Sequence, residues 1–326
     1  MKKIICKTGL FLVCFFLLFR LATVIFLEKN SYAKYRSFKA TENVDVLILG
    51  SSHSDNGLDA EQISDTIAEQ TGADVTVFNY SIYGMRIEQL YFFAKELLKE
   101  KTPDLIILET FAFVPIADEH REILARRAFD PFPRSENILE GIRYCVKGDL
   151  WSYYIPFIKY HTRWKELSQT DLLQIFDSSY WKEAGISSKS STEVMEEMDD
   201  YFKSDTTEIN EIRALDESEK ECLENLLKML DEKGIELLFV GVPYKEQLGM
   251  TSIENVKINN GIRQDYVDDQ AVKMLDMNRL WKELDFGYSD LYNEGHCNGA
   301  GKQKVTDYLT EFLLKNYQAE KWEGKR

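Results

Sequence analysis

The sequence predicts an α/β protein whose parallel sheet is covered by helices on both faces. Three observations predict it: short runs of Val, Leu and Ile that end on Gly or a small polar residue, amphipathic stretches of helical spacing between them, and the same alternation again near the C-terminus. An unbroken apolar run suits a strand buried on both faces, and parallel neighbours need a crossover, here helical, to join them.

After a polar connector, Ser31 to Asn43, the run Val44 to Leu49 ends at Gly50 and reads as the first strand. Ala60 to Gln70 has helical spacing closed by Gly72, and Val75 to Phe78 is a second strand running into Asn79-Tyr80-Ser81. Arg86 to Lys101 repeats apolar residues at Ile87, Leu90, Tyr91, Ala94, Leu97 and Leu98 and is punctuated by Pro103. Leu105 to Leu108 is the third strand. The rhythm returns with a helix at Glu217 to Lys233, capped by Gly234, and a strand at Ile235 to Val240. A weaker strand follows at Ala271 to Leu275, and a closing helix at Ala300 to Asn316. Between them, residues 111–216 break the pattern with Trp151, Tyr153, Tyr154, Trp164, Trp181 and many charges, as an inserted helical cap would. The cap leaves from the C-terminal edge of the strands, where open α/β sheets bind ligands, so it reads equally as a lid and as packing. The expected organisation is an anchor at 1–27, a connector at 28–43, core halves at 44–110 and 217–326, and the cap between them.

At the N-terminus, Lys2, Lys3 and Lys7 precede the apolar run Thr8 to Leu27. About 20 apolar residues cross a hydrocarbon core of about 30 Å as a helix. Basic residues ahead of the run keep the N-terminus in the cytoplasm and send everything from about Glu28 outward, which is a single-pass signal-anchor in the cell membrane. A cleaved signal peptide has a shorter apolar region, about 7 to 15 residues. Arg20 speaks for a buried soluble helix, but it lies past the middle of the run and can snorkel to the headgroups.

Composition narrows the chemistry. With 326 residues, 44% of them hydrophobic, the chain can bury one large core. Its net charge of −15 and the lack of a basic stripe exclude nucleic acid as a partner. The five cysteines, Cys6, Cys14, Cys145, Cys222 and Cys297, form neither a CxxC pair nor a zinc spacing, so they read as free, and no metal or organic cofactor is implied.

Two stretches carry chemistry. Val46-Leu47-Ile48-Leu49-Gly50-Ser51-Ser52-His53 is an apolar strand ending on a tight turn, which lifts a serine to the sheet edge. Asp290-Leu291-Tyr292-Asn293-Glu294-Gly295-His296 places one of only four histidines in a Gly-rich loop with carboxylates nearby, just before the last helix. Imidazole is the side chain whose ordinary pKa suits proton transfer near neutrality. His120 and His161 lie in charged helical surroundings and read as surface residues. His53 reads as lining a pocket, and Cys297 as a structural thiol beside His296.

These blocks resemble those of the SGNH, or GDSL-like, hydrolases. Gly50-Ser51-Ser52-His53 resembles the first block, Asn79-Tyr80-Ser81-Ile82-Tyr83-Gly84 the second, and His296-Cys297-Asn298 with Gly301 the last. The resemblance implies a flavodoxin-like three-layer sandwich, with Ser52 as nucleophile and His296 as its base. It also implies the N–H groups of Ser52 and Gly84 as oxyanion hole, and His53 and Glu109 in the substrate pocket. The third block's Asn is replaced here by Glu109-Thr110. The acid expected three residues before the histidine is Asn293, so Asp290 becomes the candidate orienting acid, with Gly295 letting the loop fold back. The membrane-tethered branch of that family includes alginate O-acetylation proteins and the D-alanyl transfer protein of Gram-positive bacteria, which act beside a membrane-bound O-acyltransferase. By that resemblance the expected activity is an extracytoplasmic serine-dependent acyltransferase or esterase. Its expected partners are an acylated envelope polysaccharide or teichoic-acid-like acceptor and a membrane-bound O-acyltransferase. The alternative is a catalytically impaired protein of the same fold that binds or scaffolds an envelope polymer; a soluble intracellular esterase is a further reading.

Overall fold

The computed structural model describes residues 2–28, 31–116, 118–129, 132, 135–148, 150, 151, 169, 209–247, 249–267 and 272–317. Five parallel strands form its sheet: β1 (Val46–Gly50), β2 (Val77–Ser81), β3 (Leu105–Glu109), β4 (Glu236–Gly241) and β7 (Lys273–Asp276), in the order β2-β1-β3-β4-β7. The short antiparallel pair β5 (Glu246–Gln247) and β6 (Met250–Thr251) follows β4, and a second pair, β8 (Leu291–Asn293) and β9 (His296–Cys297), precedes the last helix.

Strand pleating explains the two layers of helix. Leu47, Leu49, Ile106, Leu108, Leu237 and Phe239 point to one core, with α5 (Ile87–Glu100) and α8 (Glu217–Lys233). Their neighbours Val46, Ile48, Leu105, Ile107, Leu238 and Val240 point to the other, with α4 (Ala60–Thr71) and α10 (Gly299–Asn316). Every residue of β1 and β3 is buried, as strands covered on both faces require. The first two strands begin two residues later than the apolar runs suggest. Val44 and Val75 are buried, yet they precede the ladder.

One segment departs from the sequence reading. The expected polar connector is instead α2 (Ser31–Ala40), because Tyr35 and Phe38, three residues apart, share one helix face and enter the core beside β2. Within residues 111–216, the structure describes a 3₁₀ turn at Thr110–Phe113, α6 (Asp118–Phe129) and α7 (Glu136–Cys145). Phe93 of α5 packs on Phe129 and Phe132 at 5.2 and 4.7 Å between ring centroids. Tyr153, Tyr154, Trp164, Trp181 and His161 lie outside the described residues. α1 (Lys2–Glu28) contains an apolar span, Lys2–Leu21, long enough to cross a membrane and buried nowhere against the protein. The remaining helices are α3 (Ser52–Gly57) and α9 (Ser252–Ile262).

Candidate active site

β1 and its neighbour β3 are followed by helices on opposite faces, α4 after β1 and α8 after β3, which puts the switch point of this open sheet at their C-terminal ends, where such sheets leave a crevice. Ser52 sits there. β1 ends at Gly50, where a Cβ would come within 2.1 Å of Ser54 Oγ and 2.6 Å of Glu109 Cβ, so only glycine lets the strand pass this close to β3. Ser51 is the N-cap of α3, its Oγ accepting His53 N–H at 3.2 Å. Ser52 therefore opens the helix, and its N–H has no acceptor within α3.

The β8-β9 hairpin brings the histidine. His296 Nε2 is 2.8 Å from Ser52 Oγ, across 244 residues of sequence, and both side chains are buried. On the other side of the ring, Nδ1 is 3.0 Å from Asn293 Oδ1, which also accepts Gly295 N–H at 2.9 Å. A backbone N–H can only donate, so the Asn293 atom facing it is the oxygen. Nδ1 of His296 then carries the hydrogen, and Nε2 presents a lone pair to the Ser52 hydroxyl. Burial lowers His296 to about 4, opposed in part by the charge of Asp55 on α3, so the ring is a free base at neutral pH.

Asp290 does not orient this ring. Its carboxylate accepts Gly287 N–H and Lys304 Nζ, both at 2.9 Å, and its carbonyl accepts Asn298 N–H, also at 2.9 Å. Asp290 thus fastens the hairpin to α10. At Gly301 of that helix, a Cβ would lie 2.1 Å from the Asp290 carbonyl oxygen, so this position needs glycine. The expectation failed because Asp290 lies before β8, with its carboxylate committed to the preceding turn, whereas Asn293 ends β8 opposite His296.

Around the pair lie aromatic rings. Tyr292 and Tyr83 stack on His296 at 5.6 and 6.1 Å between centroids, and His53 lies 5.2 Å away. Met85 N–H donates to Ile82 C=O at 3.0 Å, closing a turn that needs a positive φ at its third residue, and Gly84 supplies it at +73°. A side chain there would also meet Leu124 at 2.4 Å. Glu109, at the end of β3, accepts Ser51 N–H at 3.1 Å, Ser51 Oγ–H at 2.7 Å and Phe111 N–H at 2.6 Å. Burial nevertheless pushes its carboxyl up to about 7. The Cys297 thiol is buried and pushed up to about 12, mainly by desolvation, which makes it a poor nucleophile. His120 is exposed on α6.

Ser52, His296, His53, Glu109 and the Tyr83-Gly84 turn are therefore neighbours, while Asp290 stands apart. Sequence reasoning missed Asn293 as the ring's partner, although its place three residues before His296 was the available signal. It also missed Ser51, which no motif singles out. Among the described residues, no group of three or more His, Cys, Asp or Glu side chains is placed to hold a metal ion. No protein-family model matches the chain, and comparison with curated proteins finds no match.

Proposed function

We propose that this chain is a serine-dependent acyltransferase or esterase of the SGNH type, anchored by α1 with its catalytic domain outside the cytoplasm. It would act on acyl esters of cell-envelope or exported polysaccharide, beside a membrane-bound O-acyltransferase. The observation that carries the reading is the 2.8 Å contact between Ser52 Oγ and His296 Nε2, with Asn293 holding the tautomer that leaves Nε2 free to accept. Ser52 Oγ attacks the ester carbonyl carbon while its proton passes to His296 Nε2. The oxyanion is held by the N–H groups of Ser52 and Gly84; as the carbon–oxygen bond breaks, the leaving alcohol takes the proton from His296. A sugar hydroxyl or water, deprotonated by the same nitrogen, then attacks the acyl-enzyme carbonyl carbon, and Ser52 Oγ leaves with the proton returned from His296. The choice between transfer and hydrolysis depends on whether the pocket favours an alcohol over water.

A second reading has an observation in its favour: the ring partner is a neutral amide, so no carboxylate at Nδ1 stabilises a charged His296. A protein of this fold that binds envelope polymer without catalysis would tolerate that loss. Hydrolysis of p-nitrophenyl acetate by the full-length chain in detergent separates the two. Ser52→Ala should remove turnover by a factor on the order of 10⁶ while the circular dichroism spectrum is retained. Equal rates for the two proteins would end the enzymatic reading.

A further inference from the structure

Beside Ser52 lies a second imidazole that the mechanism above does not use. His53 is 1% exposed; its ring stacks on Phe111 at 3.7 Å between centroids and meets Tyr244 edge-on at 4.8 Å. Nδ1 is 3.3 Å from Ser51 Oγ, and Nε2, on the far side of the ring, is buried with no hydrogen-bond partner. A buried polar atom left unpaired is costly, and the reacting pair is adjacent, with the His53 and His296 ring centroids 5.2 Å apart.

Ser51 has one hydroxyl proton and two neighbours able to take it. Its Oγ is 2.7 Å from Glu109 Oε2 and 3.3 Å from His53 Nδ1. With Glu109 ionised, Ser51 donates to the carboxylate, Nδ1–H donates to Ser51, and Nε2 is a bare lone pair. With Glu109 protonated, the carboxyl donates to Ser51, Ser51 donates to Nδ1, and Nε2 carries the hydrogen. Ionisation thus removes one proton from the chain. Nε2 loses it, and the other two shift one place toward His53 with no movement of heavy atoms.

We propose that His53 Nε2–H donates to the substrate carbonyl oxygen as it becomes an oxyanion, and that Glu109 and Ser51 are positioning residues that place the hydrogen there. This rests on the serine-ester reading given above. Burial brings Glu109 up to about 7, against its three donors and the charge of Arg86 at the head of α5, so both states are accessible near neutrality. Besides Arg86, the titratable groups facing the relay are Tyr244 after β4 and His296 in the hairpin. Burial first, then His296, holds His53 well below its ordinary value, so only its tautomer changes.

The test is kcat for p-nitrophenyl acetate against pH, with the full-length chain in detergent micelles. The wild type should rise through the His296 limb near 4 and fall by about tenfold per pH unit above about 7. Glu109→Gln, which removes the titrating carboxyl, should lack the falling limb. A limb that persists in that variant overturns the proposal, as does a wild-type rate that rises through 7, which would make the bare Nε2 the working form. A second readout needs neither a variant of Glu109 nor turnover. The four histidines permit ¹⁵N imidazole spectra of the wild type, with His53 identified by its loss in His53→Phe. Nε2–H below about pH 6 and Nδ1–H above about pH 8 are expected, and a single tautomer throughout overturns the relay. Turnover that survives in Ser52→Ala defeats the serine-ester reading itself. Turnover lost in Ser52→Ala, with no limb removed by Glu109→Gln, defeats only the role of His53.

Discussion

His296 and His53 lie 5.2 Å apart, both buried and both kept uncharged by burial, and they differ in what faces Nδ1. For His296 the partner is the Asn293 carbonyl oxygen, pinned by Gly295 N–H. For His53 it is the Ser51 hydroxyl, which also touches Glu109. A carbonyl oxygen only accepts, so His296 has one tautomer, with Nε2 left to accept from Ser52. A hydroxyl gives or takes, so the character of His53 is decided one residue further away. The same side chain in nearly the same place acquires a fixed or an adjustable function from the acceptor it is given.

Removing each ring breaks this comparison most directly. His296→Ala should lower kcat by a factor on the order of 10⁶, the precedent for a lost triad base. His53→Phe, which keeps an aromatic ring against Phe111, should lower kcat by about 10² to 10³, the range for one oxyanion donor. Equal losses from the two variants in ester hydrolysis would mean that the rings do not differ as described. Asn293→Asp sharpens the contrast by giving His296 a charged partner. A carboxylate at hydrogen-bond distance favours the imidazolium and should raise His296 by about 1 to 3 units from its value near 4. The sign is definite: activity needs the free base, so the rising limb of the pH profile should move to higher pH, and an unmoved limb would contradict the Nδ1 contact. The smallest effect on rate belongs to Asp290→Ala, which should leave kcat within about threefold because Asp290 is not at the ring. It strands Gly287 N–H and leaves Lys304 with Asp285 alone, so urea denaturation should show a loss of about 1 to 3 kcal/mol.

The sheet was legible in the sequence because strands buried on both faces must be apolar at consecutive positions, and Leu47 to Leu49 and Leu105 to Leu108 are. Ser52 and His296 were legible for another reason: each stands at a glycine-marked boundary where an element ends and a side chain can leave the core. The acid was misread because spacing along a chain does not report which way a hairpin turns. Asn293 and His296 are paired across β8 and β9, while Asp290 is spent on the turn before them. α2 escaped notice because three basic residues mask the apolar face made by Tyr35 and Phe38.

That short helix governs how far the site can travel. α1 ends at Glu28 and α2 begins at Ser31, three peptide steps that span at most about 11 Å. Lys34 of α2 is ion-paired with Asp55, on the helix that Ser52 begins, and donates to the Ser81 carbonyl at 2.7 Å. If α1 is embedded in a bilayer, the crevice is leashed to its surface and searches a thin layer parallel to it. Acyl donors and acceptor chains held at that depth meet it at high effective concentration. A polymer segment several nanometres further out does not, so the tether would select substrate by height above the membrane before any pocket selects it by shape.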